Sequence, residues 1–141
     1  MAITRFEELQ VWQLARALSR RVFRWTRSGE AAKDFAFVTQ ARRASLSVMN
    51  NIAEGFERYR RTEFLQFLSI AKGSAAEVRS MLFAALDIGY LTQRQFDSLS
   101  ADASDLTKAI TRFATRLRST KTPVASSRSP GARPPGPRTK D

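Results

Sequence analysis

Apolar positions recur along this chain at steps of three and four, in four stretches separated by short polar segments at Gly29, Gly55 and Gly89. Such steps place side chains on one face of a helix, so the pattern predicts four amphipathic helices. The first carries Val11, Leu14, Ala15, Leu18, Val22 and Trp25, within an arc of about 100° at 100° per residue. Thr4 with Glu7 three residues on has the spacing of a capping box and predicts where this helix opens. The second runs from Asp34 to Glu54, with Phe35, Val38, Ala41, Ser45, Val48, Met49 and Ile52 on one side. The third, from Thr62 to Ile88, carries Phe64, Phe67, Leu68, Ala71, Ala75, Val78, Met81, Leu82, Ala85 and Ile88, with Gly89 as its C-terminal stop. The fourth opens on the capping-box pair Thr92 and Gln95 and continues through Phe96, Leu99, Ala103, Leu106, Ile110, Phe113 and Leu117.

The simplest packing of these elements is all-α: an antiparallel up-down four-helix bundle over residues 1 to 118. All five prolines lie beyond residue 119 among Ser, Gly and Arg, which marks 119 to 141 as a disordered Pro/Arg/Ser-rich tail. A short loop near residue 58 makes helices two and three antiparallel neighbours, so positions summing to about 117 face each other. Gly73, Ser74, Ala75 and Ala76 are then expected opposite Ala41, Ala44 and Ser45, with a structural ion pair between Arg43 and Glu77.

The 141 residues include 24 Lys+Arg against 13 Asp+Glu, a net charge of +11, of which the tail holds +4. The predicted bundle is therefore a basic protein in its own right. With no Cys and no His, the chain lacks disulfides, thiolate nucleophiles, imidazole bases and every common zinc ligand except carboxylate. No apolar run nears the roughly 20 residues that span a bilayer, and the N-terminus lacks a signal-peptide core. The expectation is a soluble, cytoplasmic, non-enzymatic protein with no metal, no cofactor and no membrane partner.

Four stretches carry a family resemblance: Phe6-Glu7-Glu8-Leu9-Gln10-Val11-Trp12, Gln40-Ala41-Arg42-Arg43-Ala44, Asn51-Ile52-Ala53-Glu54-Gly55-Phe56, and Phe67 to Glu77, which reads FLSIAKGSAAE. Together they resemble the four-helix bundle proteins encoded in intervening sequences of large-subunit ribosomal RNA genes, which are similar to the accessory variability determinants of diversity-generating retroelements. The resemblance spans about residues 5 to 118. It implies a left-turning bundle assembled into a ring, commonly a homopentamer, with a basic surface proposed to bind nucleic acid. Met49 stands where family members often have proline, which leaves helix two less kinked, and the tail has no counterpart in the family pattern.

Arg16, Arg20, Arg24 and Arg27 fall within about 80° of one another opposite the apolar stripe of helix one. No acidic residue occurs between Glu8 and Glu30. Arginine runs repeat at Arg58, Arg60 and Arg61 and at Arg112, Arg116 and Arg118. Arg outnumbers Lys 19 to 5, and guanidinium grips phosphate through two parallel hydrogen bonds where ammonium is a point charge. These runs are candidates for binding polyanions, RNA before DNA. A ring of five copies would carry on the order of +35 before its tails, making such binding strongly salt-dependent. Trp12, Phe23 and Phe83 fall off the apolar arcs of their helices, and Ile70 widens that of helix three. These residues read as an oligomer interface, or the edge of the core, before they read as base-stacking platforms. Arg42, flanked by Phe35, Leu46 and Met49, is expected in an inter-helix or inter-subunit ion pair. The polar stripe of Gln40, Arg43, Ser47, Asn50 or Asn51 and Glu54 has no spacing specific to catalysis. The competing reading is an assembly scaffold or adaptor for an acidic protein partner, such as a reverse transcriptase by analogy with the retroelement relatives.

Overall fold

A computed structural model describes residues 2–120, and within them the chain forms four α-helices and two 3-10 turns. The helices are α1 (Gln10–Trp25), α2 (Phe35–Phe56), α3 (Arg61–Ile88) and α4 (Gln93–Ser119). The proline-rich segment expected to be disordered lies outside the described residues, except that Ser119 closes α4. Each helix packs on its sequence neighbour, and α1 also packs on α4, so the four enclose one core.

Local chemistry accounts for most boundaries. Asp34 caps α2, its Oδ1 accepting from the Phe37 N–H at 3.1 Å. Thr92 and Gln95 form the expected capping box on α4, at 3.1 and 2.8 Å. Gly89 ends α3 in the left-handed conformation at φ 87°, which costs a residue with a Cβ about 1 kcal/mol. The opening of α1 differs from expectation. Glu8, not Glu7, takes the Thr4 N–H, at 3.0 Å, and closes a separate 3-10 turn over Phe6–Glu8. Leu9 then adopts an extended conformation that buries its side chain, and α1 begins at Gln10. The physical reason is apolar: Ile3, Phe6 and Leu9 fold back over the core instead of continuing the helix.

The core is layered from small and large side chains. Ala15, Ala71, Ala75, Ala85 and Ala103 have no exposed surface, and Phe56, Leu18, Ile52, Leu68, Leu82, Leu106 and Ile110 fill the spaces between them. An edge-to-face relay of Phe56 on Phe64 and Phe64 on Phe113, with centroids 6.0 and 5.6 Å apart, ties α2, α3 and α4 together at one end. Trp25, Phe37 and Tyr90 make a similar relay at the other end.

The α2/α3 seam departs from expectation in its details. Ala41, Ala44, Ser45 and Ala75 are buried as predicted, and Ser47 and Ser74 meet hydroxyl to hydroxyl at 2.7 Å. Gly73 and Ala76, however, face outward, and nothing lies within 4 Å of where a Gly73 Cβ would stand. The close approach occurs at Gly55, which lies inside α2 and does not break it. A Cβ there would stand 2.6 Å from Phe67 Cβ and 2.9 Å from Phe64 Cδ1. Glu77 accepts from Gln40 Nε2 at 3.2 Å, and among the described residues it forms no ion pair with Arg43. Gln40 and Glu77 sum to the expected register, while Arg43 projects farther round α2 into solvent.

These glycines give opposite predictions. Gly55→Ala should lower stability by about 1–3 kcal/mol, because the overpacking outweighs the gain in helix propensity. Gly73→Ala should raise the stability of the separated chain by up to about 1 kcal/mol, since it meets open space in a helix interior. Urea unfolding of both variants at a concentration where the chain is dispersed checks the pair.

Candidate nucleic-acid interface

Arg16, Arg20 and Arg24 lie along α1 as the helical spacing requires, while Arg27 falls in the turn beyond the helix end at Trp25. Arg16, Arg20, Arg24 and Arg27 are all exposed, and among the described residues none of their side chains is bonded to a carboxylate. At 1.5 Å per residue the helical part of the row, Arg16 to Arg24, is about 12 Å long. Arg16, Arg20 and Arg24 repeat at four-residue spacing, and each such like-charge pair costs a helix roughly 0.2–0.5 kcal/mol. Arg21, one position off the row, is treated differently: it donates to Asp102 Oδ2 at 2.6 Å and to Ser98 Oγ at 2.9 Å, stapling α1 to α4. The arginine that faces the bundle is thus neutralised, and those that face solvent are not.

The second run is less available than the row on α1. Arg58 pairs with Glu54 at 3.1 Å, lies 3.9 Å from Glu63 and covers the Phe67 ring at 4.9 Å. Arg60 lies 3.7 Å from Glu63. Arg61 donates to the Thr120 carbonyl, which brings the α2–α3 connection against the end of α4. Arg112 and Arg116 are exposed there, and they share a cleft of about 340 Å³ with Ile3, Glu8, Leu9 and Gln10 at the start of α1. The fold therefore gathers the second and third arginine runs at one end of the bundle, from which the α1 row leads away along its length.

The aromatic and interface candidates divide. Trp12 is buried at 9 % exposure, edge-on to Phe6 at 5.2 Å with the Arg16 guanidinium 5.6 Å above its ring, so it offers no free face. The cover comes from the 3-10 turn, whose Phe6 was the available signal. Phe23 is half-buried beneath the Arg42 guanidinium at 4.6 Å. Arg42 has no carboxylate partner among the described residues; its Nε donates to the buried Thr26 hydroxyl at 2.9 Å. The expected ion pair is replaced within the chain by a hydrogen bond and a cation–π contact, because no acidic side chain of α1 reaches that face. Ile70 and Phe83 remain open at 52 % and 56 %, joined by Ile88 at 56 % and Phe35 at 81 %.

Among the described residues no group of three or more Asp or Glu side chains is placed to hold a metal ion, and no helix is long and apolar enough to cross a membrane. A contact absent from the sequence reading joins Tyr90 to the α2 cap: its hydroxyl donates to Asp34 Oδ2 at 2.7 Å. That bond, followed by the Phe37 N–H, holds the Asp34 carboxyl below its ordinary value, and the same bond raises the Tyr90 phenol.

The four packed helices make this chain a helical bundle. The chain belongs to the 23S rRNA-intervening sequence protein family, whose family model matches residues 7–112. Its fold is similar to the crystal structure of a protein of unknown function from the S23 ribosomal protein family of Bacteroides thetaiotaomicron VPI-5482. The two align at a TM-score of 0.69 and 23% identity, over 74% of this chain and 95% of that one. No curated protein matches the chain.

The Tyr90–Asp34 contact sets a pH dependence with a defined sign. The depressed Asp34 contributes stability above its unfolded value of 3.8 that is lost as pH falls through the lower folded value. The raised Tyr90 contributes stability below its unfolded value of 10.0 that is lost as pH climbs through the higher folded value. Tyr90→Phe should lower the melting temperature at neutral pH and weaken the decline at both edges, read from thermal melts across pH.

Proposed function

We propose that this protein is a non-enzymatic four-helix bundle that assembles into a ring of identical copies and binds nucleic acid, RNA in preference to DNA, through phosphate contacts. The observation that carries the reading is the exposed row of Arg16, Arg20 and Arg24 on α1, with Arg27 exposed in the turn that follows, none of them bonded to a carboxylate among the described residues. Like charges at that spacing cost helix stability, and a polyanion repays the cost by supplying the missing counter-charges. Arg112 and Arg116 extend the surface at the end of the bundle, and Arg58, Arg60 and Arg61 add to it once their carboxylate partners are outcompeted. The contacts are to phosphate, which fixes position without reading sequence. The family's name links its members to ribosomal RNA genes, which is consistent with an RNA partner. For self-association the support is the exposed apolar surface of α3 at Ile70 and Phe83, which a second copy would cover.

The test is a salt titration of RNA binding by the full chain beside a variant with Arg16, Arg20, Arg24 and Arg27 changed to Gln. The wild type should bind with a steep salt slope, and the variant, folded and of unchanged mass by light scattering, should lose about four phosphate contacts from that slope. Wild-type chain that ignores both RNA and DNA at about 150 mM salt, where phosphate contacts still count, overturns the reading and favours a protein partner. In the same light-scattering series, Ile70→Glu with Phe83→Glu should reduce the assembly to smaller species while leaving the helix content unchanged. An unchanged mass would place the interface on another face.

A further inference from the structure

The α1 row does not run out into open solvent. At its C-terminal end, between the end of α1 and the start of α4, lies a cleft of about 550 Å³. Arg24, the third arginine of the row, lines it together with Trp25, Ser28, Glu30, Tyr90 and Leu99. We propose that this cleft binds a nucleotide, with the base against Trp25 and the phosphate on Arg24. The ligand is a nucleoside monophosphate unit, whether free or the terminal or unpaired residue of a strand lying on the row. In the second case the inference rests on the proposed RNA-binding surface; in the first it stands without it.

Four observations carry the assignment. The volume lies within the range of small-molecule sites, roughly 300–1,000 Å³, and has room for one nucleotide. The aromatic wall is rigid. Trp25 donates its indole N–H to the Tyr90 carbonyl at 3.0 Å and packs edge-to-face on Phe37 at 5.9 Å, so the ring is oriented before a ligand arrives. The cationic wall is vacant, since the Arg24 side chain has no bonded partner among the described residues, whereas Arg21 beside it is held by Asp102 and Ser98. Finally, Glu30 stands in the same wall, where its carboxylate, 3.2 Å from Lys33, retains acceptor capacity for an exocyclic amine or a ribose hydroxyl. An indole, one guanidinium free of carboxylates and one acceptor lining a single cleft match the three parts of a nucleotide, and base stacking on aromatic rings tolerates any base.

The chain's two tryptophans, Trp12 and Trp25, make the test selective. The full chain is labelled with 5-fluorotryptophan, and the fluorine resonance missing from Trp25→Phe is assigned to the cleft. AMP, adenosine, inorganic phosphate and a short single-stranded RNA are then titrated separately. AMP should move the Trp25 resonance saturably and leave that of buried Trp12 in place. Adenosine and phosphate should each bind at least about tenfold more weakly than AMP, and Arg24→Gln should weaken AMP by about tenfold, as expected for one charge-assisted contact. If the RNA moves Trp25 and AMP competes with it, the cleft holds a nucleotide of a bound strand; if AMP alone moves Trp25, the ligand is a free nucleotide. Either outcome supports the site. The proposal is overturned if neither ligand moves Trp25 at millimolar concentration, if both resonances drift together, or if Arg24→Gln binds AMP as tightly as the wild type. RNA retained by the chain while neither RNA nor AMP moves Trp25 would sink the cleft and leave the arginine row standing. AMP binding without RNA retention would do the reverse.

Discussion

At Gly55 the α2 backbone comes so near to Phe67 and Phe64 that a single added carbon would stand 2.6 Å from its neighbour. Much of the bundle follows from that approach. It sets the separation of α2 and α3 at the end where the chain turns between them, in a connection whose Tyr59 takes φ 65°, a conformation that few residues other than glycine adopt without cost. It also places Phe56 and Phe64 edge-to-face, and Phe64 in turn meets Phe113 on α4. Farther along the seam, alanines and serines keep the helices close enough for the Ser47 and Ser74 hydroxyls to touch. A core built this way is thin and alanine-rich, which leaves the larger apolar residues of α3 partly outside it.

Charge is sorted by the same packing. Acidic side chains are spent inside the chain: Asp102 on Arg21, Asp34 on a helix cap and a tyrosine, Glu54 and Glu63 on the loop arginines. The outward row on α1 receives none of them. A basic surface arises here from an excess of arginine together with where carboxylates are placed, and it runs from one end of the bundle toward a cleft at the other. A polyanion on such a surface would meet guanidinium groups first and aromatic surface last, which orders electrostatic capture before specific seating.

Much of this was legible in the residues. Four helices, the Asp34 side of α2, the Gly89 stop and the Thr92 capping box follow from periodicity and short-range hydrogen bonding, both of which act within a few residues. The exposure of Arg16, Arg20, Arg24 and Arg27 follows equally from their position opposite an apolar stripe. What failed was long in range. Trp12, expected at an oligomer interface or the edge of the core, is covered within the chain by Phe6, which sits in a separate turn. Arg42, expected in an inter-helix or inter-subunit ion pair, meets Thr26 and Phe23 within the chain, which only packing places beneath it. Glycine roles were exchanged: Gly73, within an alanine-serine run, looks outward, and Gly55, placed near a predicted break, is where the helices touch.

The sequence by itself determined the number and amphipathic faces of the helices and the capped starts of α2 and α4, because periodicity and capping are properties of neighbours along the chain. It also determined that one face of α1 is wholly cationic. Which arginines remain available was decided only by tertiary structure, since pairing depends on the carboxylates that other helices bring near. Arg21 and Arg24 are three residues apart with the same chemistry, yet one is stapled to Asp102 and the other is left facing a cleft. No periodicity predicts that cleft, because its walls come from the end of one helix and the start of another more than 60 residues away, and only the crossing of α1 over α4 brings them together.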